Sequence, residues 1–266
     1  MNTIRLVSWN IAKRKKPIRI LEESDYDVAL IQEYPFPEER WEKEFYDRGA
    51  KVMRLSDNVE VCEVRSIPQG RKAEWDELTV SAPGIIAAAH IIPKSLEPFI
   101  AVSVYARWER PHLRTKTSWS VGYPDAMAHR AISDLSTFIG STNPATHRIL
   151  VAGDFNLIHG ATKNNPLALP ARDQSVFTRL EALGLEFVGP QHPNGRQAQP
   201  QPYGLPADTK NVPTYYSSRQ KPETAANQLD YVFASRGFHE QVKVWALNEP
   251  DDWGPSDHCR IHIELA

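Results

Sequence analysis

Short runs of β-branched and other apolar residues, most of them closed by a polar or turn-forming residue, recur along this chain and read as strands. They are Ile4 to Trp9, Asp27 to Gln32, Gly84 to Ile92, Pro98 to Tyr105, Arg148 to Ala152, Leu229 to Ala234, Val242 to Ala246 and Arg260 to Leu265. Between them the period changes. Pro17 to Glu23 opens with proline at a first helical position, and Pro37 to Asp47 sets Trp41 and Phe45 four apart. Pro124 to Ile139 repeats apolar residues at Met127, Ile132, Leu135 and Ile139, and Asp173 to Leu183 does so at Val176, Phe177, Leu180 and Leu183. Helices alternate with strands early and a longer strand series follows. The pattern therefore predicts a layered α/β fold with mixed sheets more than a parallel doubly wound one.

From Gly189 to Pro213 the chain is rich in Pro, Gln, Asn and Gly and has almost no apolar periodicity, which predicts a long loop, either facing a substrate or forming a surface bulge. The 266 residues, 41% of them hydrophobic, suffice for one large core, and we expect a single domain over 1–266. A net charge of −2 argues against a polybasic protein that adheres to any polyanion, though not against a local basic face. Cys62 and Cys259 are too few for a disulfide scaffold and read as buried free thiols. The N-terminal alternation runs straight into Asn10 and is not a signal peptide; no run approaches the ~20 apolar residues of a membrane span. A soluble cytoplasmic protein is expected, with no membrane and no obligate protein partner evident.

Polar signatures stand where the apolar runs end: Trp9-Asn10, Gln32-Glu33, Gly153-Asp154-Phe155-Asn156, Leu229-Asp230-Tyr231 and Ser256-Asp257-His258. Singly each is ordinary, since Asn forms turns, Asp-x-Asn forms Asx turns and Glu mostly faces solvent. Together they supply carboxylates, amides and an imidazole, the inventory of a hard-cation site that hydrolyses a phosphate ester. Glu33 follows the apolar run Val28-Ala29-Leu30-Ile31 and should emerge at the strand's carboxyl end as a metal ligand. Asp154 and Asn156 should face one pocket. Asp230 sits in so apolar a strand that it needs a partner, and His258 fits that need, with Asp257 beside it able to reach a metal.

In order and spacing these signatures resemble the endonuclease/exonuclease/phosphatase superfamily, which includes pancreatic deoxyribonuclease, abasic-site endonucleases, neutral sphingomyelinases and inositol polyphosphate phosphatases. The resemblance covers nearly the whole chain. It implies a DNase I-like four-layer α/β/β/α sandwich, two mixed sheets packed face to face and flanked by helices, with Mg²⁺, or Mn²⁺ as a substitute, at one end. It further implies that Glu33 holds the metal with Asn10 and Asp257 near it, that Asp154 positions or deprotonates the attacking water, and that Asn156 contacts a phosphate oxygen. Asp230 and His258 resemble the family's Asp-His pair. Tyr105, closing Val102-Ser103-Val104, resembles the family's phosphate-bonding residue at that strand end. Where abasic-site enzymes continue with proline and asparagine this chain reads Ala106-Arg107-Trp108, which weakens that assignment and nominates Arg107 for the phosphate contact.

Lys13-Arg14-Lys15-Lys16 begins three residues after Asn10, so Lys13 and Arg14 are candidates for holding the flanking phosphates of a polynucleotide. Arg107, Arg110, His112, Arg114 and Lys116, interleaved with Trp108 and Trp119, form a second basic and aromatic stretch of the kind that suits unpaired bases. The expected function is a magnesium-dependent nuclease on DNA or RNA. The alternatives are a phosphatase or phosphodiesterase on a small metabolite or lipid headgroup, and a catalytically inactive nucleic-acid-binding module.

Overall fold

A computed structural model of the chain describes residues 3–109, 112, 114, 124–139, 147–165 and 169–266. Arg110, Lys116 and Trp119 of the second basic stretch lie outside the described residues. The strands, in chain order, are β1 (Ile4–Asn10), β2 (Val28–Pro35), β3 (Arg48–Arg54), β4 (Val59–Pro68), β5 (Glu77–Val80) and β6 (Ile86–Pro93). There follow β7 (Phe99–Tyr105), β8 (Ile149–Asp154), β9 (Leu185–Gly189), β10 (Asp230–Ser235), β11 (Val242–Leu247) and β12 (Arg260–Leu265). The helices are α1 (Lys16–Glu22), α2 (Pro124–Leu135) and α3 (Pro170–Ala182). One sheet runs β11-β12-β1-β2-β3 and the other β5-β4-β6-β7-β8-β10-β9, both mixed.

Alternation along each central strand separates the layers. Leu6, Leu30, Ala101, Leu150 and Val232 face the core between the sheets. Val7, Trp9, Ala29 and Ile31 face outward onto Leu21 of α1. On the far side Val102, Val151, Tyr231 and Phe233 pack against Met127 and Ile132 of α2 and Val176, Phe177 and Leu180 of α3. Three apolar seams between four layers make the α/β/β/α sandwich.

The segment Pro37 to Asp47 is not the helix its Trp41/Phe45 spacing suggests. It holds a single 3₁₀ turn, Trp41–Glu44. Trp41 is tied to β4 through an indole hydrogen bond to the Ser66 carbonyl and meets Phe45 edge-on at 6.0 Å, but Phe45 is 60% exposed, so the pair does not seat a helical face on the core. The helix from Pro124 ends at Leu135, its last residues tightening into a 3₁₀ turn at Ser136–Phe138. Strands β3, β4, β5 and β9 add to the sequence reading. Residues 190–213 contain turns and neither helix nor strand, and are tied back by His192 to Lys210 and by Gln228 to Pro190. Cys259 is buried and Cys62 half-buried, both as free thiols. Among the described residues no helix is long and apolar enough to cross a membrane.

Candidate active site

Topology gathers the polar strand ends. β1 and β2 run parallel with Asn10 level with Gln32, and β7 and β8 run parallel with Tyr105 level with Asp154. β10 is antiparallel to β8 and starts there, so Asp230 pairs directly with Asp154. Parity then does the aiming: Asn10, Gln32, Tyr105, Asp154 and Asp230 share the alternation of the inter-sheet residues below them and turn inward. Gln32 binds Ser103 Oγ of the opposite sheet at 2.9 Å and Ser103 Oγ donates to the Ile31 carbonyl at 2.9 Å, so the two sheets are joined just beneath the site.

Glu33 has the wrong parity, and strict alternation would send it outward with Ile31. A register shift between Ile31 and Tyr34 in the β2–β3 ladder and a φ of 57° at Glu33 redirect it. The Tyr105 hydroxyl donates to its Oε1 at 3.1 Å. Its Oε2 is buried and accepts no hydrogen bond, with Lys13 Nζ at 3.9 Å. Among the described residues the non-glycines with positive φ are Ala12, Lys13, Glu33 and Asn156, all at this end. Backbone of this kind costs on the order of 1 kcal/mol or more per residue and persists only where the surroundings impose it, as at functional sites.

Asp154, 1% exposed, accepts from Asn10 Nδ2, from the Asn156 backbone N–H and from Asn156 Nδ2, each at 2.9 Å. Behind it Asp230 Oδ2 accepts from His258 Nδ1 at 2.8 Å and from Thr214 Oγ1 at 2.7 Å. The Asp230 pairing fixes the imidazole so that Nε2 faces Asp154 Oδ2 across 3.9 Å. Burial pushes the Asp154 carboxyl up to about 7, with Asp230 adding to the shift and His258 opposing it. Burial alone would lower the His258 imidazole, but Asp230 and Asp154 outweigh it and raise it to about 10. Tyr105 is pushed far above the ordinary phenol value by burial and then by Glu33, so it remains a neutral donor. The last signature is sewn to the first: Trp9 Nε1 donates to the His258 carbonyl at 2.9 Å and Ser256 Oγ to the Asn10 carbonyl at 2.6 Å.

Asp257 is half-buried beside Tyr215, whose hydroxyl lies within electrostatic reach of Asp257, Asp154 and Glu33; burial and these three charges raise it. Arg107, Asn156, Thr214 and Tyr215 complete the ring around the site. Arg107 does not offer its guanidinium to the pocket, because the group is buried, bonded to the Pro83 carbonyl and stacked on Tyr46 at 3.3 Å. Asn156 has its amide nitrogen engaged by Asp154 and the Ala106 carbonyl, and its Oδ1 accepts from the Trp108 indole at 3.2 Å. Thr214 and Tyr215 are new: the first holds Asp230, and the second lies 4.9 Å, centroid to centroid, from the His258 ring. Their only sequence signal is the Thr-Tyr-Tyr-Ser run after Pro213, which has no strand periodicity. Arg14 binds the Pro255 carbonyl, leaving Lys13 as the basic side chain nearest Glu33.

The donor set fits a divalent cation at Glu33. Its buried Oε2 is a carboxylate oxygen without a hydrogen bond, which is costly unless something positive completes it. Asp154, Asp230 and His258 also bring ligand atoms within 4.8 Å of one another. Within that trio Asp230 already accepts from His258 and Thr214, and Asp154 from Asn10 and Asn156, so these carboxylates are engaged by protein donors whereas Glu33 Oε2 accepts none.

The family model described as Endonuclease/Exonuclease/phosphatase family matches residues 7–258, from the first strand to His258. The chain belongs to that family. As an endonuclease/exonuclease/phosphatase protein it falls among phosphoric ester hydrolases. Its fold is similar to the endonuclease domain of TRAS1, a telomere-specific non-LTR retrotransposon, at 15% identity over 99% of this chain and 98% of that one, with a TM-score of 0.60. It is similar to the AP endonuclease LMAP of Leishmania major at 14% identity over 99% and 87% of the two chains, TM-score 0.63. A Neisseria 3′ phosphatase solved with product DNA hairpin gives 13% identity, 99% coverage of each chain and a TM-score of 0.57. These likenesses carry the DNase I-like fold. No curated protein matches the chain.

Proposed function

We propose that this protein is a magnesium-dependent nuclease that hydrolyses phosphodiester bonds of DNA or RNA by in-line attack of water. The observation that carries the reading is the facing pair of Asp154 Oδ2 and His258 Nε2, 3.9 Å apart with Asp230 behind, set beside the unsatisfied oxygen of Glu33. Glu33, with Asn10 and Asp257, would hold the cation, which when bound neutralises phosphate charge and stabilises the leaving oxygen. Asp154, anchored by donors from Asn10 and Asn156, orients the attacking water and takes its proton. Asp230 holds His258 in one orientation, so that Nε2–H points at the charge growing on the phosphate. Tyr105 supplies a neutral hydroxyl at the same pocket, Lys13 brings positive charge to Glu33, and Arg14, bonded to the Pro255 carbonyl, adds charge on the connection beside it. Glu33, Asp154, Asp230 and His258 are all present and assembled, which favours an enzyme over an inactive binding module.

The test is nicking of supercoiled plasmid and cleavage of labelled oligonucleotides with and without Mg²⁺. Chelation should abolish cleavage, and Asp154→Asn should lower the rate by about 10²-fold or more without loss of fold or of nucleic-acid affinity. Phosphate release from small esters with nucleic acid left intact would replace this reading with the phosphatase one.

A further inference from the structure

The connections leaving the site end of the sheets carry exposed aromatic rings that the catalytic machinery does not use. Among the described residues Phe45 is 60% exposed, Tyr46 38% and Trp108 41%. Single exposed aromatics are common on protein surfaces and by themselves mean little. These are not scattered. The Tyr46 ring lies under the Arg107 guanidinium at 3.3 Å, and Arg107 directly precedes Trp108. The indole N–H of Trp108 reaches inward to Asn156 Oδ1, two residues past Asp154, so its ring is pinned at the mouth of the catalytic pocket while much of its surface stays open to water. The mouth of the pocket thus carries the open face of Trp108 beside Asn156 and the Lys13 ammonium beside Glu33.

Aromatic faces interleaved with cations suit unpaired bases whose phosphates run past positive charge, because every base has a stacking face and a duplex hides it. We infer that Trp108, pinned by its bond to Asn156 with its face open to solvent, is a base-stacking platform that directs this site to single-stranded or unpaired nucleotides. The inference rests on the nuclease reading and adds the substrate class to it. Trp108 stacks on the base adjoining the scissile phosphate, and the sugar-phosphate chain passes Lys13.

The experiment compares a single-stranded oligothymidylate with a base-free phosphodiester oligomer of equal length, made of tetrahydrofuran residues, cleaved in Mg²⁺ by the wild-type protein, Trp108→Ala and Trp108→Phe. The backbone charge of the two substrates is the same, so the ratio of their kcat/KM values reads the bases alone. The wild type should favour oligothymidylate. Trp108→Ala should shrink that preference by about tenfold, chiefly through KM, whereas Trp108→Phe, which keeps a ring but loses the bond to Asn156, should retain it. An unchanged preference in Trp108→Ala, or equal cleavage of both oligomers by the wild type, would overturn the stacking role while leaving the nuclease reading in place. Equal loss of kcat on both substrates in the two variants, with the preference kept, would assign Trp108 to holding Asn156 and likewise overturn it. Cleavage of neither oligomer by the wild type would remove the nuclease reading and the stacking role together.

Discussion

Asp173 shows how a single buried acid behind the site is linked to its loop. It sits on α3, 6% exposed, and accepts the Ile158 backbone N–H at 3.4 Å, bracing the segment that follows Asn156. Burial raises its carboxyl from the ordinary 3.8 to about 6, against backbone donors that pull the other way. The folded state therefore holds this proton more tightly than the unfolded chain. Its contribution to stability is full below about pH 4 and falls away as pH rises through about 6. Asp173→Asn does not titrate, so its unfolding free energy should gain on that of the wild type between pH 4 and 7. Urea titrations at several pH values read this directly, and parallel curves for the two proteins would contradict it. Thr214 works at the same scale but within the site: its hydroxyl donates to Asp230 and accepts from the backbone N–H groups of Leu229 and Asp230, closing every polar group around a carboxylate in an apolar strand.

The central strands announce themselves because both of their faces are covered. β8 is buried at every position, so it reads as an unbroken apolar run, and the polar residue that ends such a run stands out. This is why Asn10 and Asp154 are legible at the ends of such runs and Asp230 at the start of one, while His258 stands out by the Ser-Asp-His triplet ahead of the alternating β12. β4 carries Glu60, Glu63 and Arg65 among its apolar residues and has few fully buried positions, and β9 merges with the apolar pattern of α3, so neither separates from its surroundings. The aim of Glu33 was legible only as far as the strand end, since the bulge that turns it inward depends on pairing with β3. Thr214 and Tyr215 lie on a non-periodic segment whose position is set by tertiary bonds, among them its bridges to Asn227 and His258 and the Thr214 hydroxyl on Asp230. Gly153 is the element-scale counterpart. At φ 154° a Cβ there would lie 2.0 Å from the Val104 carbonyl oxygen, so β7 and β8 can adjoin at this point only over a glycine. Gly153→Ala should lower stability by about 3 kcal/mol or more and displace Asp154 with its strand. Thermal unfolding checks the first part, and a normal Tm would mean the strands part without cost.

Across the whole molecule, carboxylates from both sheets are held close together, a cost in like-charge repulsion and desolvation that a bound cation would offset. Mg²⁺ should therefore raise the Tm of the wild type, with a ligand at a hundredfold excess over its Kd contributing about 2.7 kcal/mol. Glu33→Gln should remove most of that response while leaving the Tm in chelator close to that of the wild type. A Tm insensitive to Mg²⁺ in the wild type would leave the Glu33 oxygen without its cation. Because this readout needs no turnover, it separates cation binding from hydrolysis.

β1 lies between β12 and β2, and the indole of Trp9 and the carbonyl of Asn10 are tied to residues about 250 positions further along the chain. During synthesis, therefore, a polypeptide released before His258 has no imidazole for Asp230 and no neighbour on one flank of its first strand. Truncation before His258 thus leaves the first sheet and the Asp230 pairing incomplete at once, so that the site and the fold are finished by the same last stretch of chain.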